Sequence, residues 1–244
     1  MLAKQVNTKS VFSSLRSVAA NPPIHSITKF TTLDYPKHLA CIFWFAKCNM
    51  ACPYCYNPRI VREHGSISTN EALSFLQSRQ GRLEGVVLSG GECTLYPDLA
   101  RFCTQIKELG YKIKIDTNGS NPTLLKELIA CHLVDYIALD YKAPFLHYPT
   151  LTHYKHAEHV EESLALLISF DFSFEVRTTW HSDLLHVDNI NTIINDLHTK
   201  GYKGTYYLQH YLHVDATLGE TKIEQTKIDL SQLSSVIPIE LRNF

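Results

Sequence analysis

The 244-residue chain lacks any apolar run long enough to cross a membrane. Its longest apolar stretch, LACIFWFA at 39–46, has the length of a buried strand. It also lacks an excess of either charge. The formal net charge is -1 at pH 7, which gives no basic surface for nucleic acid and no attraction to anionic lipid. Neither nucleic acid nor membrane is therefore expected as a partner. There is no signal peptide, so the seven cysteines are expected in a reducing compartment, the cytoplasm. Repeats, low-complexity tracts and linkers are missing, and residues 23–244 read as a single domain. No acidic residue precedes Asp34. The segment 1–22 reads as a flexible tail, with an organelle transit peptide or a misassigned start as alternatives. The remaining composition, 45% hydrophobic and 19% charged, fits one large globular α/β domain.

One further absence carries chemistry. The stretch CNMACPYCYNP (48–58) holds Cys48, Cys52 and Cys55, with no fourth cysteine beside them. A structural zinc centre closes on four ligands, and disulfide frameworks use even numbers. Three thiols leave a metal centre with one open position. The spacing suits a [4Fe–4S] cluster with one iron free. It equally suits zinc completed by a histidine such as His64, and three unrelated core cysteines are a third reading.

Apolar β-type runs alternate with segments of helical period from residue 39 onward. Strands are expected at 40–46, 85–89, 112–116, 135–141, 172–179 and 205–210. Between them, STNEALSFLQSRQG opens on a Ser68–Glu71 capping box. PDLARFCTQIKELG places Leu99, Phe102, Cys103, Ile106 and Leu109 on one face and stops at Gly110. NPTLLKELIACH has Asn121 as N-cap and Pro122 at the first helical position. Two more helices fit 156–169 and 187–200. Six such units are too few for a closed eight-stranded barrel, which takes about 250 residues. The expected fold is α/β: a partial, open (β/α)6 TIM-like barrel of parallel strands, with 220–244 adding a short helix and an edge strand. The cysteine triplet follows the first of these strands, at the end where such folds place their sites.

The next strand ends VVLSGGECTLYP. Glycines at 90 and 91 let backbone approach a ligand closely, and Glu92 offers a carboxylate to a cationic group. Alone, this is also an ordinary βα turn. Together, CxxxCxxC with Tyr54 before its last cysteine, followed by Gly90-Gly91-Glu92, resembles the radical S-adenosylmethionine (SAM) superfamily. LDYP (33–36), SGGECTLYPDL, IDTNGSNP, VDYIALDYKAP and EVRTT add a resemblance to the glycyl-radical-enzyme activases, above all those of anaerobic ribonucleoside-triphosphate reductase. The likeness runs from about Ile24 to His210.

The resemblance implies a [4Fe–4S] cluster on Cys48, Cys52 and Cys55, with S-adenosylmethionine chelating the open iron. It places Gly90, Gly91 and Glu92 at the amino group of that cofactor and Tyr54 beside its adenine. Asp116, Thr117 and Asn118 fall near its ribose and carboxylate, and Asp116 and Thr117 near a monovalent cation. Asp140 and Lys142, two apart on a strand, share a face and match the family's Asp-x-Lys. Glu175 and Arg177 repeat this pattern one strand later, and Gln209 and His210 close the series. Each inward pair also reads as a structural ion pair. In the family, one electron from the cluster breaks the S–C5′ bond, and the 5′-deoxyadenosyl radical takes hydrogen from a glycine of a large reductase. Flavodoxin or ferredoxin is the implied electron donor. Cys93 stands where relatives often have proline, and Tyr56 where histidine is common. Cys41, Cys93, Cys103 and Cys131 read as core, which argues against a second cluster. Two other readings stay open: a small-molecule radical enzyme resembling 7-carboxy-7-deazaguanine synthase, and a zinc-stabilised binding module.

Overall fold

A computed structural model describes residues 21–214, 216–222 and 228–244. The expected tail lies almost wholly outside the described residues. In chain order the elements are β1 (Ile24–Thr31), β2 (Ala40–Phe45), α1 (Pro58–Arg62), α2 (Thr69–Gln77), β3 (Gly85–Gly90), α3 (Leu99–Glu108) and β4 (Lys112–Thr117). They continue with α4 (Pro122–Ala130), β5 (Tyr136–Asp140), α5 (Tyr148–Thr152), α6 (Ala157–Ser169), β6 (Phe174–Trp180), α7 (Val187–Thr199), β7 (Tyr206–His210) and β8 (Ile239–Arg242). All strands form one sheet in the order β1 to β8. Strands β2 to β8 run parallel, as helical crossovers require. Among the described residues β1 and β8 do not pair with each other, so the barrel stays open between them.

The six expected strands and the five expected helices are present. The Ser68–Glu71 capping box forms, and the Asn121 side chain accepts from the Leu124 N–H ahead of Pro122. Four elements differ from expectation: the short helices α1 and α5 were not expected, nor was β1, and the C-terminal helix is reduced to a turn. Strand β1, antiparallel to β2, was not expected because IHSITKFT shows no clean alternation of apolar and polar residues. The expected helix in 220–244 is only a 3-10 turn at Leu230–Gln232, while the expected edge strand is β8, parallel to β7. No helix among the described residues is long and apolar enough to cross a membrane.

Strand alternation divides the molecule into two regions. Phe43, Phe45, Val86, Leu88, Ile113, Ile115, Ile137, Leu139, Val176 and Leu208 face outward and bury themselves under the helices. Their side chains are almost fully removed from water, and this layer carries most of the hydrophobic stabilisation, at roughly 25 cal/mol per Å² of apolar surface. The opposite face lines the barrel. At its lower end Tyr35, Ala40, Ile42 and Val87 form a small apolar plug. Gly85 leaves room for it, since a Cβ there would lie 2.7 Å from the Tyr35 ring. Above the plug the inner face is polar and charged.

The upper end is fixed by contact between backbones. Gly91 N–H donates to Phe45 O (2.8 Å) and Glu92 N–H to Lys47 O (2.8 Å). A Cβ on Gly91 would sit 1.9 Å from that same Lys47 carbonyl oxygen, a backbone atom that cannot swing away. Gly90 adopts φ 118, a conformation side-chain-bearing residues rarely take. Gly91→Ala should therefore force the 46–48 backbone off the end of β3. A loss of about 1–3 kcal/mol in thermal unfolding is expected, together with reduced metal uptake, while Gly81→Ala, at an open turn, should leave metal uptake unchanged.

Candidate functional site

The three thiols sit on the loop after β2, packed at the edge of the core, and polar contacts fix the loop. Met50 N–H points at Cys48 Sγ (3.4 Å). Asn118 Nδ2 lies 3.9 Å from that sulfur and donates to Asn49 Oδ1 (2.9 Å). Asn49 Nδ2 reaches Ser120 Oγ (2.8 Å), and Ala51 N–H reaches Thr152 O (2.8 Å). The other side of the loop is backed by the chain that follows β7. Leu218 N–H donates to Cys55 O and Gly219 N–H to Pro53 O. Leu212 N–H donates to Tyr56 Oη (2.7 Å), and the Tyr56 ring stacks on Tyr211. Support of the cysteine loop by Leu212, Leu218 and Gly219 was not expected.

All seven cysteines are free thiols. Burial pushes the Cys48 thiol up to about 12, and the Glu92 charge adds to this. Burial also raises Cys52, with the Lys142 ammonium opposing. Uptake of a metal must therefore displace protons. The three sulfurs are not all within 4.8 Å of one another. A single tetrahedral zinc at bonds of 2.3 Å would draw sulfurs to about 3.8 Å. His64 takes no part: its Nδ1 pairs with Asn21 Nδ2 (3.0 Å), and it lines a different pocket. Three free thiols on one cavity, with no fourth cysteine beside them, fit a cluster with one iron open. Tyr54 is buried on the wall of that cavity beside the Cys52 thiol, and burial raises its phenol pKa well above the usual value.

That cavity, about 350 Å³, falls in the range of ligand sites. The three cysteines line it with Tyr54, Gly90, Gly91, Asp116, Thr117, Asn118, Asp140, Lys142, Arg177 and Gln209. Two of the residues expected to bind cofactor are elsewhere. Glu92 lies behind the wall, 1% exposed. Its Oε1 accepts from Thr94 N–H (3.1 Å), Thr94 Oγ1 (2.6 Å) and Thr117 Oγ1 (2.8 Å), and its Oε2 from Asn118 N–H (2.7 Å). Burial raises its pKa and these donors hold it down. It is a tie between β3 and the loop after β4 and does not face the cavity. His210 points to the outer face, between Trp180 and Phe244. Alternation along β7 puts Gln209 inward and His210 outward.

The inner wall is an ordered set of charges. Asp140 accepts from Arg177 Nε (2.8 Å) and Lys142 Nζ (2.9 Å). Burial alone would raise its pKa, but these two cations hold it well below the usual carboxylate range. The contribution to stability is thus present at neutral pH and is lost only in strong acid. Asp116 Oδ1 accepts from Lys114 Nζ (2.6 Å) and lies 3.6 Å from Arg177, while its Oδ2 accepts from Ser89 Oγ (2.9 Å). Glu175 is held chiefly by Arg242 of β8 (3.0 and 3.2 Å), whose guanidinium covers the Tyr207 ring. Arg177 is 3.9 Å from Glu175, so the expected Glu175–Arg177 pair is secondary to Arg177–Asp140. Lys114, Ser89 and Arg242 were not among the expected site residues. The alternation KIKID would have placed Lys114 on the face of Asp116.

Of the cysteines outside the triplet, Cys41, Cys93 and Cys103 are buried as expected. Cys131 is exposed at the end of α4, because the helix stops one residue before it and turns its side chain to solvent.

Comparison with known proteins agrees with this geometry. The sequence model of the Radical SAM superfamily matches residues 42–198. A Methanocaldococcus jannaschii protein provisionally named a glycyl-radical enzyme activating enzyme is 32% identical over 70% of this chain and 73% of its own length. The 7-carboxy-7-deazaguanine synthase of Haemophilus influenzae is 33% identical over 42% of this chain and 44% of its own. The fold of Streptococcus suis SuiB, solved bound to S-adenosylmethionine, superimposes with a TM-score of 0.62 at 14% identity, covering 83% of this chain and 52% of that one. The chain thus spans about half the length of that solved structure.

Two outcomes test the site. Cys48→Ala, Cys52→Ala and Cys55→Ala should each lose most of the iron taken up on anaerobic reconstitution, and Cys103→Ala should keep it, as read by metal analysis. In Glu92→Gln either amide orientation sets an NH2 against a buried N–H donor. It should lose about 1–3 kcal/mol of stability in thermal melts.

Proposed function

The chain belongs to the radical SAM superfamily, and we propose that within it the protein is the activase of an anaerobic ribonucleoside-triphosphate reductase, generating its glycyl radical. Members of this superfamily use a [4Fe–4S] cluster and S-adenosylmethionine, which together supply one-electron cleavage of the S–C5′ bond. The chain's own residues do the rest. Cys48, Cys52 and Cys55 would hold three irons and leave the fourth for the cofactor. Gly90 and Gly91 let backbone come close to it, and Tyr54 walls the pocket. Lys142 and Arg177, each paired to Asp140, present fixed positive charge where water is largely excluded. Flavodoxin or ferredoxin is the proposed electron donor.

The observation that carries the reading is the open barrel. Among the described residues β1 and β8 do not pair with each other, and we infer that a loop of another protein enters at this side of the barrel and brings a glycine to the reacting carbon. The length of the likeness to the activating-enzyme relative supports it. The shorter likeness to 7-carboxy-7-deazaguanine synthase sustains a second reading, in which a small molecule fills the same space.

The test is isotope transfer. Incubated anaerobically with S-adenosylmethionine, reductant and the reductase carrying α-deuterated glycine, the protein should speed cofactor cleavage and pass deuterium into 5′-deoxyadenosine. Electron paramagnetic resonance should then show a glycyl radical. Equal stimulation by a free nucleoside or pterin, with label coming from it and none from glycine, would establish the second reading instead.

A further inference from the structure

Related activases imply a monovalent metal cation beside Asp116 and Thr117, and the residues here do not fit one. A cation site needs oxygen lone pairs that nothing else has taken. Both oxygens of Asp116 are engaged: Oδ1 by the Lys114 ammonium at 2.6 Å and Oδ2 by the Ser89 hydroxyl at 2.9 Å. The Thr117 hydroxyl donates to Glu92 and accepts from Gly119 N–H (3.1 Å). The charge count points the same way. Arg177 is a second cation 3.6 Å from Asp116. Counting Glu92, which accepts from Thr117, the wall sets Lys114, Lys142, Arg177 and Arg242 against Asp116, Asp140, Glu175 and Glu92. The carboxylates are already matched by cations of the chain itself, and a potassium or sodium ion would enter beside the Lys114 ammonium and the Arg177 guanidinium.

We propose that the ε-ammonium of Lys114 is a built-in replacement for the monovalent cation, so that this protein binds S-adenosylmethionine without potassium or sodium. The ammonium is a compact point charge on a side chain 2% exposed. It is delivered from two residues earlier on the same strand face, which fixes it at the carboxylate. It balances the buried Asp116 and leaves that residue's place at the cavity wall intact. Lys114 is a positioning residue: it acts through Asp116 and does not line the cavity. The expectation of a cation rests on the activase reading, while the salt comparison below tests Lys114 whichever substrate the enzyme acts on.

The test uses reconstituted full-length protein in potassium, sodium or tetramethylammonium chloride at equal ionic strength. Two quantities are read, the Kd for S-adenosylmethionine and the melting temperature. The wild type should hold its Kd within about twofold across the three salts and show no specific rise in melting temperature. Lys114→Ala, which opens space beside Asp116, should become salt-specific. Its Kd should tighten by about tenfold or more in potassium over tetramethylammonium, and its melting temperature should rise in potassium. A wild type that needs potassium overturns the proposal. So does a folded Lys114→Ala that is as indifferent to salt as the wild type. Should that variant fail to fold, Lys114→Ser is measured in the same way, and the wild-type comparison decides without any variant.

Discussion

The buried carboxylate of Glu92 holds three segments in register, and the site depends on it. From the end of β3 it accepts the Thr94 N–H and hydroxyl, the Thr117 hydroxyl and the Asn118 N–H. Through its own N–H it is tied to Lys47 O, at the start of the cysteine loop. Asn118, placed by that bond, then reaches Cys48 Sγ and Asn49. A buried carboxylate with this many donors is expensive to leave unsatisfied, so the three segments move as one unit. The absence of a Cβ on Gly91 is what permits the approach to Lys47. Gly-Gly-Glu is thereby a structural clamp on the cysteine loop, and its two glycines also line the cavity.

Around this clamp the barrel separates two kinds of interior. Its outward faces form a dry aliphatic and aromatic layer under the helices. Its inward face carries paired charges that are neutral enough to be buried and ordered enough to orient a charged ligand. Lys114 and Arg177 share Asp116, while Arg177 and Lys142 share Asp140. Breaking one partner of such a set leaves an uncompensated buried charge, which costs more than the pair contributes. That asymmetry keeps the electrostatic lining of the cavity fixed.

Much of this was legible in the sequence, for identifiable reasons. Strands β2 to β7 stood out because both of their faces are buried in a parallel sheet or mark the site, and helices such as α2 and α4 carry explicit capping residues. The cysteine triplet and Gly90-Gly91-Glu92 were legible because their chemistry demands fixed spacing. Strand β1 was hidden because its face toward the opening is polar and half-exposed. The assignment of His210 to the site failed for want of a parity count along β7. The roles of Glu92, Lys114 and Arg242 depend on partners distant in sequence, which no local pattern reveals. Leu218 and Gly219 support the cysteine loop through backbone hydrogen bonds, which any sequence can make, and Leu212 and Tyr211 through Tyr56, a partner distant in sequence.

The central claim is that three cysteines hold a cluster with one iron left for S-adenosylmethionine. Mössbauer spectroscopy of protein reconstituted with iron-57 tests it most directly, with spectra taken before and after the cofactor is added. A four-iron cluster is expected, in which one iron in four changes its signal on cofactor addition while three do not. A spectrum unaltered by the cofactor, or protein that takes up zinc in place of iron under the same conditions, would contradict it.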